Sequence, residues 1–163
     1  MSTRSYIAKE IGEDKYKAVY CLFDGYPAHH GIILVQYYDT PEKVDALLTL
    51  GGLSALGEKI APDADFVPTE EQRFQESTTV AYARDFGDPS MPAEYFNLAQ
   101  LVDNGEKLFA NHLYVFTKDN AWKYLHLLGQ SKTLQDLKSH PDVYRQIPLV
   151  VGGGTEEEQI LAI

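Results

Sequence analysis

The chain has 163 residues, 44% of them hydrophobic and 12% aromatic, so one domain with a sizeable core is expected and general disorder is disfavoured. A formal net charge of −10 argues against direct contact with nucleic acid or an anionic membrane surface. One cysteine, Cys21, excludes an internal disulfide framework; residues 1–6 lack the apolar run of a secretory signal, and no stretch approaches a membrane span, so a cytoplasmic location is expected.

Residues 5–11 and 16–23 read as two strands joined by the polar turn Gly12-Glu13-Asp14-Lys15, a β-hairpin. Asp24-Gly25-Tyr26-Pro27 then breaks the second strand, because Asp-Gly and proline are turn formers. Residues 31–38 suit either state, and helix is favoured because it pairs with the next element across a short break. That element is a helix over 41–50. Thr40 caps it, Pro41 takes the first position, and Val44, Leu47, Leu48 and Leu50 recur at helical spacing before Gly51-Gly52. A single helical turn is expected over 53–57, a long surface loop over 61–75, a strand over 78–83 and a helix over 92–102. Leu113-Tyr114-Val115-Phe116 and Trp122-Lys123-Tyr124-Leu125-His126-Leu127 flank a polar turn and predict a second hairpin. A short helix is expected over 133–138, with Pro141 marking its end or a restart. Together these predict an α+β fold: a single domain over 1–150, an antiparallel sheet built from hairpins, and helices packed on one face. Residues 151–163 read as a flexible or loosely docked tail.

The acidic charge is concentrated. Residues 61–106 hold ten carboxylates opposed only by Arg73 and Arg84, a net −8 of the total −10. A solvated loop accounts for such a segment, and so does a docking surface for a basic partner. Its expected bearers are Asp63, Asp65, Glu70, Glu71, Glu76, Asp85 and Asp88.

Other constellations carry less. Adjacent His29-His30 point in different directions on any regular element, and one cysteine with the separated His112, His126 and His140 does not make a paired zinc pattern. Cys21 sits in an apolar strand, where free cysteine is usually a small buried hydrophobe rather than a nucleophile. Val150-Val151-Gly152-Gly153-Gly154 lacks the lysine of a phosphate loop and is followed by three glutamates. No cofactor or metal is therefore expected.

The motifs Thr3-Arg4-Ser5-Tyr6-Ile7, Tyr20-Cys21-Leu22-Phe23-Asp24-Gly25-Tyr26-Pro27, Tyr38-Asp39-Thr40 with Glu42-Lys43-Val44, and Leu53-Ser54-Ala55-Leu56-Gly57 stand in order along the first sixty residues. In these motifs the chain resembles a family of small uncharacterised proteins of phages, plasmids and bacterial chromosomes. The later hairpin with Trp122 resembles that family too. The resemblance implies a mobile-element setting and no mechanism. Position 22 in such sequences is often histidine and here is Leu22, which weakens a metal or catalytic role for the turn.

Two functions are expected to compete. The first is an acidic interaction protein that docks on a basic surface of a host protein, in the manner of a DNA-mimic inhibitor of a defence or regulatory system. The second is a small ligand-binding or enzymatic domain at the Asp24-Gly25-Tyr26-Pro27 turn, with Arg4, Tyr6, Asp24, Tyr26, His29 and His30 converging in one cleft. A homodimer formed through an exposed edge of the 113–127 hairpin is a plainer expectation.

Overall fold

Alternating side chains along two hairpins set the centre of the architecture. The computed structural model describes residues 2–146. Strands β1 (Arg4–Gly12) and β2 (Lys15–Cys21) form the expected antiparallel hairpin, with Ser5 opposite Cys21 and Ile7 opposite Val19. Asp14 turns the chain at φ 47°, a left-handed conformation that a short polar side chain tolerates. Past the Asp24-Gly25 turn, a wide helical turn over Pro27–Gly31 runs into α1 (Ile32–Tyr37), so the helical alternative holds for this segment. Helix α2 (Pro41–Thr49) starts as expected: Thr40 Oγ1 accepts the Lys43 N–H at 3.3 Å, and Val44, Leu47 and Leu48 are buried.

Further along, long-range pairing overrides several local expectations. The stretch expected to be a helical turn is strand β3 (Leu53–Ala55), because Leu53 pairs with Cys21 and with Ala81 of β4 (Val80–Ala81). The strand expected over 78–83 is cut to those two residues by α3 (Tyr82–Phe86), whose Asp85 carboxylate accepts the Ala81 N–H at 2.8 Å. The helix expected over 92–102 is preceded by β5 (Glu94–Phe96), which pairs with residues 16–18 of β2. Helix α4 (Leu98–Lys107) begins only after Asn97, which with Gln100 makes a reciprocal capping box. It runs through Gly105, which has no room for a side chain: an added Cβ would lie 2.8 Å from Leu127 Cδ1.

Strands β6 (Ala110–Phe116) and β7 (Trp122–His126) form the second hairpin as expected. The short helix expected over 133–138 is instead β8 (Gln135–Asp136) and a 3-10 turn, and Pro141 restarts the chain as α5 (Pro141–Tyr144). The tail expected over 151–163 and the glycine run 152–154 lie outside the described residues.

The α+β class and the single domain hold, with two differences of detail. The sheet, ordered β4-β3-β2-β1-β6-β7-β8 with β5 also on β2, is mixed: β1 pairs in parallel with β6, and β2 with β3. Helices also cover both faces. Ile7, Val19, Tyr114 and Phe116 pack under α1, α2 and α5, whereas Tyr6, Ala8, Leu113 and Val115 pack under α4. The reason is the composition of the central strands. Tyr6-Ile7-Ala8 and Leu113-Tyr114-Val115-Phe116 are unbroken apolar runs, and burying both sides of a strand requires cover on both faces. Nor is the 113–127 hairpin a bare edge, since Lys123 and Tyr124 of β7 pair with β8. No helix among the described residues is long and apolar enough to cross a membrane.

Candidate functional site

Strands β6 and β7 carry aromatic residues at every second position: His112, Tyr114 and Phe116 on one, Trp122, Tyr124 and His126 on the other. A period of two puts all six on one face. The register pairs them across the strands as Phe116 with Trp122, Tyr114 with Tyr124 and His112 with His126, at ring-centroid distances of 5.2, 5.3 and 5.1 Å. The Trp122 end is sealed in the core, where its indole N–H donates to the Tyr38 carbonyl at 2.8 Å. The histidine end opens into a cleft of about 540 Å3. Its floor is His112, Tyr124 and His126; Tyr26 and Pro27 form one wall, the 129–135 loop another, and His140 with Asp142 at the start of α5 the third.

The same register lays a polar row across the sheet. Cys21, Ser5, His112 and His126 stand side by side on β2, β1, β6 and β7. The turn bearing His29 and His30 packs on this row. Its backbone is tied down by Gly25, whose N–H donates to the Thr3 carbonyl at 2.8 Å and whose carbonyl accepts the Tyr114 hydroxyl. His30 is wholly buried, with Nε2 3.3 Å from Cys21 Sγ and Nδ1 3.0 Å from His29 Nδ1. The rings of His140 and Tyr124 meet edge to face at 5.2 Å. All five histidines of the chain are thereby linked, directly or through Tyr114 and Tyr124, into one cluster.

Burial disfavours the charged form of three of these histidines, His29, His30 and His112. It lowers the pKa of His112 to about 4, with His126 and His140 adding to the effect. His30 is held well below the usual histidine value by burial, then by His29 and His112. Burial also lowers His29, partly offset by the Asp24 carboxylate. Tyr124 is pushed upward, first by burial and then by Asp142. It therefore keeps its proton, and its hydroxyl is hydrogen-bonded to His112 Nδ1 at 2.6 Å. Burial pushes the Cys21 thiol up to about 12, so it is a protonated, enclosed thiol and not a nucleophile at neutral pH. Among the described residues, no three His, Cys, Asp or Glu side chains are arranged to hold a metal ion.

The six residues expected at the turn do not share one cleft. Tyr26 lines the histidine cleft, while Asp24 and His29 open into a neighbouring depression of about 450 Å3 bounded by Gly57 and Thr78. His30 is enclosed between them. Tyr6 faces the opposite side of the sheet, because neighbours on a strand project oppositely; its hydroxyl accepts from Asn104 Nδ2 at 2.7 Å. Arg4 reaches the Ser2 hydroxyl and the Leu108 carbonyl.

The seven expected acidic bearers also divide. Asp63 accepts from Lys59 and from Gln75, each at 2.8 Å. Asp85 pairs with Arg84, whose guanidinium also donates to the Ile60 and Thr79 carbonyls. Asp88 accepts the Ser90 N–H at 3.0 Å. These three hold the backbone of the loop in place. Asp65, Glu70, Glu71 and Glu76 are exposed, and none makes a side-chain hydrogen bond or ion pair among the described residues.

In the sequence His112, His126 and His140 stand apart, and the fold brings them together. The detectable signal was the mirrored alternation His-x-Tyr-x-Phe and Trp-x-Tyr-x-His on the two strands of a predicted hairpin. No family model, no curated protein and no solved structure matches this chain.

Proposed function

We propose that the protein is a small-molecule-binding domain whose ligand enters the cleft at the open end of the β6–β7 aromatic ladder. The observation that carries this reading is the convergence of His112, His126, His140, Tyr26 and Tyr124 around one concavity of about 540 Å3. Ligand sites are typically concave and largely apolar, with a few convergent polar groups of perturbed pKa. The imidazole rings and the protonated Tyr124 phenol offer both donors and acceptors there. No covalent step is assigned, since Cys21 is buried and His112 is committed to Tyr124.

A fragment screen followed by NMR of the imidazole resonances tests this. Fragments that bind are expected to shift His112, His126 and His140 first. The variant Ser131→Trp, on an exposed loop at the mouth, should weaken those fragments about tenfold or more while leaving the melting temperature near wild type. Fragments that bind only elsewhere, or no binding from a broad library, would reject the reading.

A second reading keeps the acidic segment as a docking surface for a basic host protein, in the mobile-element setting that the motif resemblance implies. Four exposed, unpaired carboxylates within a dozen residues, Asp65, Glu70, Glu71 and Glu76, support it. A DNA mimic must approach the density of duplex DNA, about one negative charge per 1.7 Å of axis. Converting those four to their amides, with Asp63 and Asp85 kept so that the loop stays pinned, should abolish capture of a partner from host lysate, as should high salt. Capture that survives both treatments would count against electrostatic docking.

A further inference from the structure

We infer that the ligand of the histidine cleft is an organic cation, carrying a guanidinium or primary ammonium group that sits between the Asp142 carboxylate and the aromatic floor. This rests on the cleft being a ligand site and specifies the charge of what it takes. The first ground is the formal charge of the lining: Asp142 contributes a carboxylate, and no lysine or arginine among the described residues lines the cleft. An entering anion would meet that carboxylate and no compensating cation.

The second ground is that Asp142 lacks a lysine or arginine partner among the described residues. Its nearest basic neighbour is His140, whose Nδ1 lies 4.0 Å from the carboxylate. That same nitrogen accepts the Asp142 backbone N–H at 3.1 Å, so it is engaged by the main chain rather than the side chain. Elsewhere on the protein, exposed carboxylates such as Asp45, Asp63 and Asp103 have lysine partners. Here the position of a lysine is open to a ligand.

The third ground is the floor. Tyr124 and the stacked His112 and His126 rings, with Tyr26 at the wall, offer π faces to a bound cation, and a planar guanidinium both stacks on such faces and pairs with a carboxylate. His112 does not compete for Asp142 as a cation, since burial lowers its pKa to about 4. The net charge of −10 further enriches cations at the surface.

Three probes of nearly the same shape isolate charge: butylguanidinium, its neutral isostere butylurea, and pentanoate. Each is titrated into wild-type protein while the imidazole resonances of His112, His126 and His140 are followed. Butylguanidinium is expected to shift them saturably, and the other two to bind at least tenfold more weakly. Asp142→Asn, at a half-exposed side chain, should weaken butylguanidinium about tenfold, leave butylurea unchanged and leave the melting temperature near wild type. Equal or tighter binding of butylurea or pentanoate in the cleft would overturn the inference and leave the ligand site standing. Absence of a response to all three probes would overturn it as well, and the fragment screen then decides separately whether the cleft binds anything.

Discussion

Gly25→Ala is expected to lower unfolding stability by about 3 kcal/mol, read from urea denaturation. A Cβ at position 25 would lie 2.8 Å from Ser5 Cβ and 2.8 Å from the Thr3 carbonyl oxygen, with Arg4 C at 3.1 Å. Two of these three atoms are backbone, of Thr3 and of Arg4 at the start of β1, and Ser5 is wholly buried, so the strain cannot be relieved by swinging a flexible side chain. Relief requires moving the turn away from β1. That movement breaks the Gly25 N–H bond to Thr3 and loosens the Tyr114 hydroxyl from the Gly25 carbonyl. It also displaces Tyr26, Pro27 and His30, so cleft ligands should weaken together with stability. Gly12→Ala supplies the control: its added Cβ would meet Lys15 Cβ at 3.6 Å, an ordinary contact, and should change stability by no more than about 0.5 kcal/mol. A Gly25→Ala protein as stable as wild type would show that the Asp24-Gly25-Tyr26-Pro27 turn does not organise the histidine cluster.

The largest pH effect is expected between pH 6.5 and pH 4. A histidine whose folded pKa is depressed binds fewer protons in the folded than in the unfolded state across that interval, so stability rises with pH there. His112, with a folded value of about 4 against an ordinary 6.5, contributes its full stabilisation above pH 6.5 and loses it as pH falls towards 4. By pH 4.5 that loss amounts to about 2–3 kcal/mol. His29 and His30 are shifted in the same direction and add to it. The groups facing these three are Tyr124, His126 and His140 around His112, Cys21 and Tyr114 around His30, and Asp24 and Tyr26 around His29. Among them only Asp24 favours the protonated form of its neighbour. Urea midpoints at pH 7.5, 6, 5 and 4.5 measure the slope. In His112→Gln, where an amide oxygen can still accept from Tyr124, the slope should fall visibly. A flat profile from pH 7 to 4.5, or an unchanged slope in that variant, would contradict the account in which burial holds His112 neutral in the folded state.

Much of the local structure was legible from residue type and spacing. Both hairpins follow from alternation around polar turns, and Thr40-Pro41 marks the start of α2 because a hydroxyl cap and a proline act within one helical turn. The polar 61–75 stretch reads as a loop because nothing in it has an apolar period. Legibility failed where a partner strand far along the chain supplied the hydrogen bonds. Leu53 is strand because Cys21 and Ala81 flank it, and residues 94–96 are strand because β2 lies beside them. The acidic segment shows the same limit: composition revealed its charge, while only the fold separates the carboxylates that pin the loop, Asp63 and Asp85, from those left exposed, such as Glu70 and Glu71.

The histidine cleft lies on the far side of this divide. Residue alternation decides that His112, Tyr114 and Phe116 share a face, and the hairpin turn decides that Trp122, Tyr124 and His126 face the same way, both over a few residues of chain. That His29, His30 and His140 join them depends on Gly25 docking against β1 and on α5 packing beside the Pro27–Gly31 turn. The first of these contacts joins Gly25 to Thr3 and the second joins elements more than a hundred residues apart, and no spacing rule reaches either, because burial against a distant surface, not backbone period, sets which side chains meet.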